Sequence, residues 1–215
     1  MSEKRGLFIT VEGVDGAGKS TQLALLADGL RAAGRDVVAT REPGGAPGAE
    51  EIRRLLVDGA PGRWSAETEL LLFTAARRDH MERTLRPALA RGAVVLCDRY
   101  VDSTRAYQGA RRGADACGVD RATVDALHRL MIGLDPDLTL ILDIDPARSL
   151  ARGTARPGAP GRFEGFGLDF QRALRAAFRA IAEAEPVRCA LIDASGAPDA
   201  VAALLRAAVA DRLGL

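Results

Sequence analysis

Short, continuous apolar runs recur five times along the chain, and few folds can accommodate them. The runs cover residues 7–11, 37–39, 94–97, 138–142 and 187–192. Runs without polar alternation are typical of strands in a parallel sheet that is covered on both faces. Helical patterns separate them, at residues 20–33, 49–58, 66–91, 121–132, 147–152, 168–183 and 199–212. The alternation predicts an α/β fold in which helices flank a sheet of five parallel strands.

Domain organisation follows from length and from the placement of proline and glycine. With 215 residues and no linker between two composition classes, residues 1–215 are predicted to form a single domain. Two stretches rich in proline and glycine, residues 42–48 and 156–165, are predicted loops. The second joins two helical patterns and carries arginines, so we expect a short lid at about residues 152–165.

Composition excludes several classes of function. Thirty basic residues balance twenty-nine acidic ones, which argues against the broad positive field that long nucleic acids need. No run approaches the roughly 18 apolar residues of a membrane helix, so no membrane association is expected. Three widely spaced cysteines, Cys97, Cys117 and Cys189, fit neither a disulfide framework nor a zinc site. These features together predict a cytoplasmic protein.

A glycine-rich motif follows the first apolar run directly and opens a helical pattern. It satisfies the P-loop pattern, whose backbone N–H groups surround phosphates. Lys19 is expected to reach the outer phosphates of ATP, and Ser20 to bind Mg²⁺. Of the thirty basic residues only Lys4 and Lys19 are lysines, which suggests that Lys19 needs its compact ammonium. The predicted ATP site comprises Gly13, Val14, Asp15, Gly16, Ala17, Gly18, Lys19, Ser20 and Thr21.

Residues elsewhere decide which class of P-loop protein this is, because the loop alone indicates only that a nucleoside triphosphate binds. A GTPase would carry an Asn-Lys-x-Asp element, and the chain contains no asparagine. A helicase or motor would need a basic face along which a nucleic acid could run. A kinase and a non-catalytic nucleotide-binding module both stay open on these grounds.

Four further motifs identify a resemblance. Residues 40–45 (Thr-Arg-Glu-Pro-Gly-Gly), 73–77, 98–100 (Asp-Arg-Tyr) and 106–109 (Ala-Tyr-Gln-Gly) occur in the order found in the thymidylate kinase family, and the match spans nearly the whole chain. The resemblance implies a P-loop NTPase fold, Mg²⁺ and ATP, phosphorylation of dTMP to dTDP in dTTP synthesis, and a homodimer. A kinase for another nucleoside monophosphate or for a deoxynucleoside is the alternative.

The resemblance also assigns roles around an acceptor site. Arg99 ends the third strand, where ligands of open α/β sheets bind, and its planar fork can hold a phosphate bidentately. Phe73 and Arg77 lie four residues apart on a helical pattern; the family implies that Phe73 stacks on thymine and Arg77 donates to a base carbonyl. Asp15 would lie near the sugar and the metal, and Tyr107 beside the deoxyribose. The predicted substrate site comprises Asp15, Glu42, Pro43, Phe73, Arg77, Arg99, Ser103, Thr104, Tyr107 and Gln108.

Arginines of the expected lid complete the predicted catalytic set. The P-loop spacer carries no basic residue, so the chain resembles the bacterial type in which the lid supplies the catalytic arginine. Arg156 is the first choice, with Arg152 beside it at the ATP and Arg162 as a further candidate. The chain departs from many relatives in reading Gly-Arg-Phe-Glu at residues 161–164 in place of an Asp-Arg pair. The predicted catalytic residues are Lys19, Arg99, Arg156 and Asp15, with Ser20 and Asp15 as metal ligands.

Overall fold

The central sheet has five parallel strands. The structure, a computed structural model, describes residues 5–59, 62–115, 118–149 and 167–215. The strands lie in the order β2-β3-β1-β4-β5 and confirm the predicted parallel sheet. They are β1 (Phe8–Gly13), β2 (Val37–Arg41), β3 (Val94–Asp98), β4 (Leu138–Asp143) and β5 (Cys189–Asp193). Because β1 lies at the centre, the loop that follows it opens in the middle of the carboxyl edge.

Helices cover both faces of the sheet. They are α1 (Lys19–Ala32), α2 (Pro47–Val57), α3 (Ala66–His80), α4 (Arg86–Ala90), α5 (Val101–Asp115), α6 (Arg121–Leu127), α7 (Gly167–Ala184) and α8 (Pro198–Leu213). Consecutive residues of β1 point to opposite faces: Ile9 packs with α1 residues, and Phe8 packs with residues of α3 and the turns after it. The sheet is therefore the middle of three layers, as expected for a P-loop NTPase fold.

Two π-helical turns interrupt otherwise helical segments, at Met81–Leu85 and at His128–Ile132. The first divides the predicted helix over residues 66–91 into α3 and α4. Pro87, in the first turn of α4, has no N–H to donate and would crowd a carbonyl one turn earlier in a regular helix. A wider turn directly before the proline accommodates that mismatch.

Helix α5 is a correction to the sequence prediction, which has no helical pattern between residues 91 and 121. The structure has a helix of 15 residues there. Its inward-facing residues include Asp102, Ser103, Thr104 and Gln108, all buried, so no apolar periodicity marks the segment. The helix carries predicted substrate residues toward the carboxyl edge of the sheet.

Several predictions concern residues outside the described ranges. The lid at residues 152–165, with Arg152, Arg156 and Arg162, is among them, as is Cys117. Of the predicted helix at 147–152, the structure describes a helical turn at residues 146–149. In the described residues, no helix is both long enough and apolar enough to cross a membrane.

Candidate active site

A cleft of about 360 Å³ opens at the carboxyl edge of the sheet, between the P-loop, the end of β2, α3 and α5. Fourteen of the predicted site residues line it, together with five that were not predicted. The predicted ones are Asp15, Gly16, Gly18, Lys19, Ser20, Glu42, Pro43, Phe73, Arg77, Arg99, Ser103, Thr104, Tyr107 and Gln108. The others are Arg41, Arg53, Val57, Asp98 and Tyr100. Gly13, Val14, Ala17 and Thr21 belong to the P-loop or α1 without lining the cleft.

Glycines give the P-loop a backbone conformation with positive φ angles. Gly16 and Gly18 have φ angles of 79° and 96°, values that residues with a side chain rarely adopt. A Cβ at Gly16 would also lie 2.2 Å from the carbonyl oxygen of Ser149, so the loop passes close to the segment after β4. The Lys19 Nζ donates to the carbonyl of Val14 at 2.9 Å. Burial and the nearby charge of Arg99 lower the pKa of Lys19 to about 8, which leaves it mostly protonated at neutral pH.

Asp15, Arg99 and Tyr107 form a compact polar cluster at the mouth of the P-loop. The Nη2 of Arg99 donates to Asp15 Oδ1 at 2.5 Å, and the hydroxyl of Tyr107 donates to Asp15 Oδ2 at 2.6 Å. Burial alone would raise the pKa of Asp15, but the positive charges of Arg99 and Lys19 and the Tyr107 hydrogen bond hold it well below its usual range. Asp15 is therefore ionised throughout the neutral range.

Arg99 is held in a strained backbone conformation. Its φ of 72° makes it the one residue other than glycine with positive φ in the described ranges. Its amide donates to the carbonyl of Val11 at 3.0 Å, and its Nη1 donates to Ser103 Oγ at 2.8 Å and to the Gly13 carbonyl at 3.2 Å. The turn from β3 to α5 thus aims the guanidinium back across the P-loop.

Glu12 stabilises that turn from inside the protein. Its Oε1 accepts hydrogen bonds from the amides of Tyr100 (2.7 Å) and Ser103 (3.1 Å), and its Oε2 accepts from the Ser103 hydroxyl at 2.6 Å. Burial, with the negative charge of Asp102 adding to it, raises the pKa of Glu12 to about 7. A carboxyl group that gains and loses its proton near pH 7 thus links β1 to the residues around Arg99.

Glu12→Gln should remove a pH-dependent part of the stability. Between pH 4.5 and about 7 the folded protein keeps a proton that the unfolded chain has lost, so the free energy of unfolding falls as pH rises through this window, by about 3 kcal/mol in total. Urea titrations at pH 5 and pH 8 measure the difference. The variant should lack this fall. Equal pH slopes in the two proteins would show that Glu12 ionises normally.

We call the part of the cleft formed by α3, the end of β2 and α5 its base end, after the base that is predicted to bind there. The Nε of Arg77 donates to Glu42 Oε2 at 2.7 Å, and its Nη2 donates to Thr104 Oγ1 at 3.0 Å. Phe73 lies one turn earlier on α3 and stays partly exposed beside the cleft. Gln108 is buried and accepts from the amide of Val119. Glu42, a predicted substrate-site residue, thus holds Arg77 directly.

Asp98 is a site residue that the sequence reasoning did not select. The Ser20 hydroxyl donates to Asp98 Oδ2 at 2.6 Å, so a P-loop hydroxyl and a carboxylate lie side by side at the end of β3. The signal was present, because P-loop NTPases place an acidic residue at such a strand end. Arg41 lies inside the motif at residues 40–45, so it also carried a signal, whereas no local pattern distinguishes Arg53 in an arginine-rich chain.

The fold and the site together define a P-loop phosphotransferase of the nucleoside monophosphate kinase class, with a phosphate-binding loop and an arginine-lined acceptor cleft. The family model described as thymidylate kinase matches residues 11–204. The chain is 60% identical to thymidylate kinase of Jannaschia sp. (strain CCS1), over 96% of this chain and 97% of that one. Thymidylate kinase of Caulobacter vibrioides is 57% identical, over 98% and 99% of the two chains.

A solved structure agrees with the sequence relatives. The crystal structure of thymidylate kinase from Ehrlichia chaffeensis matches with a TM-score of 0.77 and 33% identity, over 95% of this chain and 99% of that one. The chain belongs to the thymidylate kinase family, and the resemblance seen in its motifs is confirmed.

Proposed function

We propose that this protein transfers the terminal phosphoryl group of ATP to dTMP and forms dTDP, a step in the synthesis of dTTP. The observation that carries the proposal is one shared cleft: the P-loop and Arg99 line the same cleft as Phe73 and Arg77. A phosphate-binding loop and a pocket suited to a planar base thus lie side by side. The relatives' name, thymidylate kinase, supports dTMP as the acceptor.

The chemistry requires positioning more than covalent help. An oxygen of the acceptor phosphate bonds to the terminal phosphorus of ATP, and the bond from that phosphorus to the ADP oxygen breaks. Lys19 and the P-loop amides would neutralise the outer phosphates of ATP, and Arg99 would hold the acceptor phosphate. Asp15 fixes the guanidinium of Arg99 from the P-loop side. Tyr107, which hydrogen-bonds Asp15, would then lie beside the sugar of the acceptor.

A coupled assay of ADP release with a panel of acceptors tests the proposal. We expect turnover with dTMP to exceed turnover with dUMP and dCMP, and thymidine without a phosphate to be inactive because Arg99 would have no ligand. Faster turnover with another monophosphate would transfer the assignment to that acceptor. ATP binding without ADP release from any acceptor would favour a non-catalytic nucleotide-binding module.

The oxygen ligands beside the P-loop fit Mg²⁺. Ser20 and Asp98 supply two hard oxygen atoms, and Mg²⁺ commonly takes one or two protein ligands together with substrate phosphates and water. Residues described in the structure include no cluster of three or more metal-ligating side chains, so phosphates would supply most of the coordination. The ion would neutralise charge on the β- and γ-phosphates. Asp15 as a metal ligand stays a prediction, since Arg99 and Tyr107 engage both its oxygens.

Asp98→Asn should raise the Mg²⁺ concentration for half-maximal rate by about tenfold, because a neutral amide is a weaker ligand than a carboxylate. The measurement is a Mg²⁺ titration of the rate at fixed ATP and dTMP. Asp143→Asn is the matched control, since Asp143 also ends a strand but pairs with Arg175 and Arg179. An unchanged titration curve for Asp98→Asn would remove Asp98 from the metal site.

Three further parts of the proposal concern the lid, the assembly and the location of the protein. Arg156 as the catalytic lid arginine, with Arg152 at the ATP, stays a prediction. A homodimer is supported by exposed apolar side chains on α3 and on the π-helical turn at His128–Ile132, which packs beside α3. These side chains are Leu71, Leu130 and Met131. A cytoplasmic location is supported by the free, buried thiols of Cys97 and Cys189.

A further inference from the structure

A buried chain of hydrogen bonds runs beneath the base end of the cleft. The Nε2 of His80 lies 2.8 Å from Thr40 Oγ1, and its Nδ1 lies 2.9 Å from Glu42 Oε1. The other oxygen of Glu42 accepts from Arg77 Nε at 2.7 Å, and Arg77 Nη2 donates to Thr104 Oγ1 at 3.0 Å. The chain connects the end of β2 to α3 and then to α5. It passes through Arg77, which lines the base end of the cleft, and ends at Thr104.

The acceptor in the middle of this chain determines which tautomer His80 adopts. A carboxylate only accepts, so the His80 Nδ1 must carry a hydrogen to bond Glu42. In the neutral ring Nε2 is then an acceptor, and the hydroxyl of Thr40 is its donor. Glu42 is thus held from two sides, by His80 through Oε1 and by Arg77 through Oε2.

Burial makes this arrangement costly to disturb. His80 is fully buried, and the side chains of Glu42 and Arg77 are each 4% exposed. A carboxylate oxygen that loses its donor in such a place finds little water to replace it, so the group rotates or stays unsatisfied. Gly45 also confines the imidazole, because a Cβ there would lie 2.5 Å from His80 Nε2. The ring is therefore a fixed donor.

Arg77 has one orientation as a result. With Nε bound to Glu42 and Nη2 to Thr104, the plane of its guanidinium is set, and Nη1 makes no hydrogen bond to the described part of the chain. Arg77 lines the cleft, so Nη1 is available to a ligand there. A guanidinium in a set plane favours a carbonyl oxygen over an amino group at the same place on a base.

We propose that His80 is a positioning residue for base recognition: it holds Glu42, and Glu42 sets the guanidinium plane of Arg77 toward the base of the acceptor. This inference rests on the proposed function, since it takes the acceptor to be a nucleoside monophosphate with a carbonyl on its base. His80 itself does not line the cleft and would act only through its neighbours.

Three substitutions at His80 distinguish the effect of losing the N–H donor to Glu42 from the effect of altering the packing of a buried side chain. His80→Asn places an amide N–H near the position of Nδ1, His80→Gln places it nearer Nε2, and His80→Leu provides no donor. We expect the Gln and Leu variants to raise KM for dTMP about tenfold, with kcat and KM for ATP within about threefold of the original values. His80→Asn should recover most of the affinity for dTMP. If the Leu variant does not fold, the comparison of Asn with Gln decides.

A double-mutant cycle tests whether the effect passes through Arg77. In an Arg77→Gln background, His80→Gln should cause no further rise in KM for dTMP, because the group it orients is gone. His128→Leu is the control for loss of a buried ring, since His128 bonds Asp135 and does not line the cleft. It should leave KM for dTMP unchanged.

The outcomes distinguish this inference from the proposed function. Equal KM values for the Asn and Gln variants, or additive effects in the cycle, would overturn the role of His80 while dTMP turnover by the unaltered chain stands. Equal rises in KM for ATP and dTMP would likewise show that His80 only supports the fold. If the unaltered chain shows neither turnover of dTMP nor calorimetric binding of it, both the role of His80 and the proposed function are overturned.

Discussion

Lys19→Ala should lower kcat by at least about 10²–10³-fold while leaving the fold intact, because its ammonium serves the transferring phosphates. The side chain is 7% exposed and sits at the start of α1, with one hydrogen bond to the carbonyl of Val14. Its nearest carboxylate, Asp15, is 4.0 Å away and stays paired with Arg99 when Lys19 is replaced. Loss of one hydrogen bond is offset by relief from burying a charge, and the free energy of unfolding should change by about 1 kcal/mol or less.

Two further variants separate the properties of this side chain. Lys19→Met keeps much of the length without the charge and should be as slow as Lys19→Ala. Lys19→Arg keeps the charge but replaces a point donor with a planar fork, and should recover only part of the rate. ADP release measures the rates, and thermal melts followed by circular dichroism confirm the fold. A rate for Lys19→Met within a few fold of the original would exclude Lys19 from the reaction.

The strands were predictable because a strand that is buried on both faces has apolar residues at consecutive positions. Residues in β1, β3 and β4 are buried on both faces, so each appears as a run made mostly of apolar and β-branched residues. The sheet order β2-β3-β1-β4-β5 is a different kind of information, since it depends on pairings between distant segments. The boundary of the last strand was less predictable. The predicted run begins at Val187, which is 87% exposed and lies in the turn before β5.

Cleft residues were predictable where they belong to one local motif. They were less predictable where their roles depend on contacts between residues that are far apart in the sequence. The P-loop is a local motif, so its glycines, Lys19 and Ser20 could be assigned from spacing alone. Glu12 gave a weaker signal, as a carboxylate inside an apolar strand. His80 had no signal, because its partner Glu42 is 38 residues away and its helix pattern fits an ordinary buried histidine.

In α5, polar residues of the cleft occupy the helix face on which an apolar stripe would otherwise be expected. A helix that must present Ser103, Thr104 and Gln108 to the cleft cannot also present an apolar stripe there, so the sequence lacks the helical signature. Buried polar pairs add to the packing of its small apolar residues Val101, Ala106 and Ala110. Asp102 is fully buried and accepts from Arg188 and Arg105, at 2.6 Å and 2.8 Å. Site residues thus explain why this helix was missed.

Arg99→Lys should lower kcat/KM for dTMP by about 10²–10³-fold even though the charge is kept. The two terminal nitrogens of Arg99 reach the Gly13 carbonyl and Asp15 in the P-loop, and Ser103 and Tyr107 in α5. An ammonium has one nitrogen and three hydrogens, so it cannot span both elements and also hold a phosphate. The strained φ of 72° costs about 1–3 kcal/mol whichever of the two residues is present, so the substitution tests the side chain.

The measurement is steady-state kinetics with dTMP varied at saturating ATP, where both a raised KM and a lowered kcat are expected. Arg105→Lys is the matched control: Arg105 is also partly buried and makes a two-partner ion pair, with Asp102 and Asp125, but it does not line the cleft. Its kcat/KM should stay within about threefold of the original, since it only stabilises the fold. If the two variants lose kcat/KM to the same extent, the loss at Arg99 reports a weakened fold, and the acceptor phosphate must be held by another residue of the cleft, with Arg53 as the next candidate.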